Sequence, residues 1–206
     1  MKRNIILTIL VLTLLNSTLH AQQSTLNQRF TDPSGNTILL GKCTPAALLE
    51  APFSGWFSPA YAQYRVDSAT CQFVAPLLRD KQITIFLGTW CGDSRREVPR
   101  ILKILDCCGF PPQQLTLVMV SNQPDAYKRS PGGEESGRKI QRVPTIIIEK
   151  ANGEVGRIVE FPVVSLEKDM LSILRGDRYI PQYAETRQDV VTKAGPAVMP
   201  AFADAR

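Results

Sequence analysis

The residue of this chain best placed to do chemistry is Cys91. It lies in Trp90-Cys91-Gly92-Asp93-Ser94, behind the run Ile83-Thr84-Ile85-Phe86-Leu87 and ahead of Val98, Ile101, Leu102 and Leu105. The first run is β-branched and aromatic, as suits a strand buried on both faces, and the second set recurs at helical spacing. A thiol is therefore expected where a buried strand ends and a helix begins. Unpaired amides and the positive end of a helix dipole point at that place, an effect worth ~0.3–1 kcal/mol to an anion. It favours a thiolate, the form that attacks disulfides. Arg95 and Arg96 add to the positive field, while Asp93 and Glu97 work against it. Ser94 cannot complete a disulfide with Cys91, so its hydroxyl is expected to cap the helix or to hydrogen-bond the sulfur.

The pattern of Trp90, Cys91 and Gly92 between strand and helix resembles the active site of the thioredoxin superfamily. Pro99, eight positions after Cys91, matches the proline that kinks the active-site helix of that family. Val143-Pro144-Thr145, ahead of Ile146-Ile147-Ile148-Glu149, matches the cis-proline that precedes a strand beside the reactive sulfur. The resemblance spans residues 67–177 and implies an α/β, thioredoxin-like fold, a mixed central sheet with helices on both faces, preceded by an N-terminal extension. It implies a catalytic group of Cys91, Ser94 and Pro144, with Trp90, Gly92, Val143 and Thr145 binding substrate. Pro144 removes an N–H donor and leaves the Val143 backbone free to pair with an extended substrate. Two positions depart from the family. Ser94 replaces its second cysteine, and Ile85 stands where it buries an aspartate that moves protons.

Other chemistries have little footing. The only histidine is His20, within a segment expected to be removed, which leaves no Cys–His nucleophile pair and no histidine metal site. No C-x₂-C pair exists, so zinc is not expected, and Gly132-Gly133 lacks the strand and lysine of a phosphate loop. No cofactor is implied. The formal net charge is +5, of which Lys2 and Arg3 supply two, and no Lys/Arg run exceeds two residues. Nucleic-acid binding is therefore not expected.

Residues 1–21 read as a signal peptide. Lys2-Arg3 is followed by the apolar Ile5–Leu15 and by Ser17-Thr18-Leu19-His20-Ala21, with a cut expected after Ala21. The run is too short to span a bilayer, and no stable membrane insertion is expected after cleavage. The protein is thus expected to be exported, periplasmic or secreted. In an oxidising compartment its five cysteines, Cys43, Cys71, Cys91, Cys107 and Cys108, leave at least one unpaired. Cys107 and Cys108 lie ~24 Å along the helix from Cys91 and are expected to be buried packing residues. Only Cys43 or Cys71, or an external thiol, is left to resolve a mixed disulfide at Cys91.

The positioning elements follow in order. Residues 22–66 form the extension, with a turn at Asp32–Asn36, a short strand over Thr37–Leu40, and Thr44-Pro45 opening a helical stretch. Phe53, Trp56, Phe57, Tyr61 and Tyr64 either pack this extension onto the main domain or line a groove for a partner. Asp67 caps a helix reaching about Arg79. Strands are expected over Ile83–Leu87, Leu115–Val120, Pro144–Glu149 and Glu154–Phe161, the last two joined by Asn152-Gly153. Helical turns are expected at Asp125–Lys128 and Glu134–Ser136. Ser165 opens the last helix, Gly176 closes it, and residues 178–206 read as a loosely attached tail. The function read from this is thiol–disulfide exchange through a mixed disulfide at Cys91, on protein or small-molecule thiols and disulfides. The alternative is a redox-silent binding module that uses the same groove to hold a protein partner.

Overall fold

The computed structural model describes residues 26–184; the expected signal segment and most of the expected tail lie outside them. The chain forms an α/β structure around one six-stranded mixed sheet. Its strands are β1 (Gln28–Thr31), β2 (Thr37–Cys43), β3 (Gln82–Leu87), β4 (Leu115–Met119), β5 (Thr145–Lys150) and β6 (Gly153–Val159). They lie in the order β1-β2-β4-β3-β5-β6. Only β3 and β4 run parallel; every other neighbouring pair is antiparallel.

Four α-helices are described: α1 (Ser54–Gln63), α2 (Ser68–Leu77), α3 (Gly92–Cys107) and α4 (Leu166–Arg175). The expected caps are in place. The Asp67 carboxylate accepts from the Thr70 amide at 3.0 Å, and the Ser165 hydroxyl accepts from Lys168 N at 3.2 Å. Gly176 closes α4 with φ +75°, a left-handed conformation that costs glycine nothing. Thr44-Pro45 opens a 3₁₀ turn, Pro45–Leu49, and the Thr44 hydroxyl makes no capping bond.

One expectation is corrected and another is met only in part. In place of helices on both faces of the sheet, all four contribute to a single hydrophobic cluster on one face. That cluster joins Phe57, Cys71, Val74, Val98, Ile101 and Met170 to the strand residues Ile83, Ile85 and Leu87. By strand alternation the opposite face carries a smaller cluster, Phe86, Val118, Val120, Val143 and Ile147, with Trp90, Cys91 and Ile140 against it. Between β4 and β5 the first expected helical turn forms as a 3₁₀ turn at Pro124–Ala126, and Glu134–Ser136 lies in turns that do not extend into a helix. Gly133 and Gly137 at positive φ, with Lys128 and Lys139 also left-handed, interrupt any helical run there.

The extension is part of the sheet. β2 pairs with β4 through Gly41–Cys43, and Ile38, Leu39, Leu48, Phe53 and Phe57 are buried. The aromatic group is packing surface: Phe53 and Phe57 are in the core, with Trp56, Tyr61 and Tyr64 packed against it. The start of the expected tail is also held in place. The Tyr179 hydroxyl donates to the buried Asp169 at 2.9 Å, and the Tyr183 ring lies beneath the Arg142 guanidinium.

Candidate functional site

β3 and β4 run parallel and β5 runs opposite to β3, so the end of β3, the end of β4 and the start of β5 meet at one edge of the sheet. That topology brings residues 88–94, Val120 and Val143–Thr145 together. Between β3 and α3 the chain turns tightly, with the Cys91 amide donating to the Gly88 carbonyl at 2.9 Å. Gly88 is required by contact: a Cβ there would stand 2.6 Å from the Trp90 indole, which folds back over it. The indole Nε1 donates to the Val120 carbonyl at 2.8 Å, and its ring tilts against Tyr127.

Cys91 is the N-cap residue of α3, in extended backbone conformation, and is half-buried. Its thiol donates to the carbonyl oxygen of Val143 at 3.2 Å, across 52 positions of sequence. The Val143–Pro144 peptide bond is cis, as the resemblance implied. Cys91, Trp90, Val143 and Pro144 are thus one constellation. Gly92 opens α3 beside them, with open space where a side chain would point.

Two predicted site residues sit differently. The Ser94 hydroxyl neither caps α3 nor bonds the sulfur; fully buried, it accepts from the Gly88 amide at 3.2 Å. The α3 stripe turns inward at that position, which leaves the hydroxyl only the strand end to meet. Thr145 offers no hydroxyl to a substrate, because it is 1% exposed and donates to the Arg142 carbonyl at 2.6 Å.

The nearby charges are largely paired among themselves. Arg96 bridges Asp93 at 2.7 Å and Glu97 at 2.6 Å, and Arg100 reaches the same Glu97 oxygen at 3.3 Å. Glu97 is 3% exposed, a buried carboxylate between two guanidinium groups. Arg95 donates to the Thr89 carbonyl at 2.7 Å and lies over the Trp56 ring. Thr89 in turn accepts from the Leu39 amide of β2 at 3.2 Å, so the extension braces the turn. Sequence reasoning did not single out Thr89, Val120 or Tyr127 for the site. Their contacts are backbone carbonyls, one hydroxyl and a ring, which leave no spacing signature.

Among the described residues all five cysteines are free. Neither expected resolving partner stands beside Cys91. Cys43 is buried opposite Leu117 in the cluster on the other face of the sheet, its thiol pushed up to about 11 by burial. Cys71 packs against Cys108 at the far end of α3. Cys107 is exposed, against expectation, because it falls outside the buried stripe of α3. An apolar cavity of about 310 Å³ lies further along α3, lined by Leu49, Phe57, Tyr61, Leu102 and Phe110 among others. The Tyr61 hydroxyl donates to Asp106 at 2.5 Å, and burial pushes it up to about 12, so the polar groups of that cavity are already occupied with each other.

No protein-family model matches the chain, and no curated protein matches it. Among solved structures it is similar to a protein of unknown function from Pseudomonas aeruginosa, with 15% identity and a TM-score of 0.48 over 66% of this chain and 93% of that one. An HIV epitope-scaffold gives 15% and 0.47 over 67% and 94%. The oxidized form of mitochondrial thioredoxin 3 from Saccharomyces cerevisiae gives 20% and 0.28 over 48% and 86%.

Proposed function

We propose that the chain is a thioredoxin-like protein that carries out thiol–disulfide exchange through Cys91, on protein or small-molecule thiols and disulfides. One observation carries the reading: a half-buried thiol at the start of a helix, 3.2 Å from the Val143 carbonyl beside Pro144. In the first step the Cys91 sulfur attacks a substrate disulfide. One Cys91–substrate S–S bond forms, the substrate S–S bond breaks, and the departing sulfur leaves as a thiolate that takes up a proton. The Val143 carbonyl, having lost its thiol donor, then accepts from an amide of the extended substrate. With Ser94 at the family's second position, an external thiol attacks the mixed disulfide, reduces Cys91 and leaves bonded to the substrate sulfur.

We also place this activity outside the cytoplasm, on the strength of the basic start, the short apolar run and the small-residue end of residues 1–21.

The test uses reduced protein and a disulfide-bonded peptide, with adducts mapped by mass spectrometry without reduction. Wild type is expected to accumulate a one-to-one mixed disulfide at Cys91, and Cys91→Ser to form none there. Peptide exchange that proceeds at the wild-type rate in Cys91→Ser would place the chemistry elsewhere.

A further inference from the structure

At the end of α3 farthest from Cys91, Cys108 points its thiol at the Cys71 carbonyl of α2, 3.9 Å away. Cys107, its neighbour in the chain, is exposed. Cys71 is 3% exposed and Cys108 half-buried. Cys108 also lines an open cavity of about 320 Å³, bounded by Pro76, Leu78, Arg79, Phe110 and Pro111. That volume is at the lower end of small-molecule sites. Arg79 is its one cationic group and is exposed.

We propose that Cys71 and Cys108 form a second thiol–disulfide centre, separate from Cys91, closed by a small carboxylate-bearing organic disulfide that enters through this cavity. Cys108 is the attacking sulfur. It lines the cavity, whereas Cys71 is almost fully buried; burial raises the Cys108 thiol above its ordinary range, with the neighbouring Cys71 thiol acting in the opposite direction. Burial first, and the two neighbouring thiols next, push Cys71 well above the ordinary thiol range, so it holds its proton until the second step. In the first step Cys108 displaces one half of the incoming disulfide as a thiol and bonds to the other half. In the second, Cys71 gives up its proton, attacks the Cys108 sulfur and releases the second half. Two protein thiols are oxidised, and one small disulfide is reduced to two thiols. Closure brings the two sulfurs to a bonded separation of ~2 Å. The bridge ties α2 to the end of α3 across 37 positions of sequence. A loop of that length is expected to raise Tm by about 5–10 °C. Bridging Cys107 to Cys108 instead would strain the peptide between them.

The test uses the full chain, wild type and Cys91→Ser, reduced, freed of reductant and titrated with cystine. Peptides are mapped without reduction. A Cys71–Cys108 cross-link in both proteins, loss of two alkylatable thiols and a higher Tm are expected. Cys107→Ser is expected to close normally, and Cys71→Ser to stop at a mixed disulfide between Cys108 and free cysteine. Arg79→Ala is expected to slow closure by cystine about two- to fivefold while leaving closure by the cationic disulfide cystamine unslowed. A cross-link through Cys107, or persistent adducts with Cys71 still alkylatable, would overturn the proposal. The Cys91→Ser background keeps that result independent of the Cys91 reading.

Discussion

Ser94 sits one helical turn from Cys91 and uses its acceptor on the Gly88 amide. The sequence places it correctly, three positions along the helix, but cannot show which group its hydroxyl meets. That depends on how β3 enters the turn and on the Trp90 indole lying back over Gly88. The Val143 carbonyl becomes part of the site because β5 runs opposite to β3. The thiol, its proline partner, the helix start and the Val143 backbone were legible; the Gly88 amide and the Val120 carbonyl that hold Ser94 and Trp90 were not. Ser94→Cys puts a second thiol at a fully buried position where the side chain already faces the site's own turn. Sulfur is the weaker acceptor, so the Gly88 amide loses most of its bond, at a cost of about 1 kcal/mol. The variant is expected to fold, to close a disulfide between positions 91 and 94 under mild oxidation, and to release a bound peptide far faster than wild type with no added thiol. An internal thiol acts at an effective concentration well above any dilute external one. A stable peptide adduct on a folded Ser94→Cys protein would show that residues 91 and 94 are not in bridging geometry.

At the level of elements, caps and periodicities served well, and layering did not. Asp67, Ser165 and Gly176 bound their helices as their chemistry suggests, and the β5–β6 hairpin turns one residue earlier than expected, through Ala151-Asn152 with Gly153 already paired to Lys150. Which face a helix covers is a tertiary matter that one-dimensional spacing does not encode. A family pattern supplied both faces, whereas the packing gathers all four helices on one. The fit of α4 on β6 is close. A Cβ added at Gly156 would lie 2.7 Å from Cγ2 of Ile173, a stiff β-branched side chain in that helix. Overpacking of this kind costs about 1–3 kcal/mol, against the ~0.4–1 kcal/mol that alanine gains by restricting the unfolded chain. The clash wins. Gly156→Ala is expected to lower stability by about 1–2 kcal/mol in denaturant unfolding, with Cys91 alkylation unchanged in the folded protein. An unchanged or raised midpoint would mean that Ile173 yields freely and that α4 is packed more loosely than its contacts indicate.

The whole molecule is held together across the boundary that its sequence suggests. Residues 22–66 read as an extension, yet β2 lies against β4, and the Leu39 amide bonds the Thr89 hydroxyl in the turn that carries Cys91. Further along, the buried Glu167 of α4 accepts from the Tyr64 hydroxyl at 2.9 Å and the Asp67 amide at 3.1 Å, joining the end of the extension to the last helix. Burial first, and the Glu167 carboxylate next, push the Tyr64 phenol well above its ordinary range, so it stays protonated and remains a donor. Six apolar side chains of the extension, Ile38, Leu39, Leu40, Leu48, Phe53 and Phe57, are at most 8% exposed. At ~1.5–3 kcal/mol for each fully buried side chain, their removal forfeits on the order of 10–20 kcal/mol. That equals or exceeds the ~5–15 kcal/mol by which a whole domain is stable. A chain beginning at Asp67 is therefore expected to show no cooperative unfolding transition and to expose the edge of β4 to other chains, with aggregation as the visible result. Adding residues 22–66 as a separate peptide is expected to restore part of the cooperative transition, since the lost contacts are noncovalent. A folded, thiol-reactive fragment from Asp67 onward would show that the site is complete without its N-terminal strands and that the Leu39–Thr89 bond is dispensable.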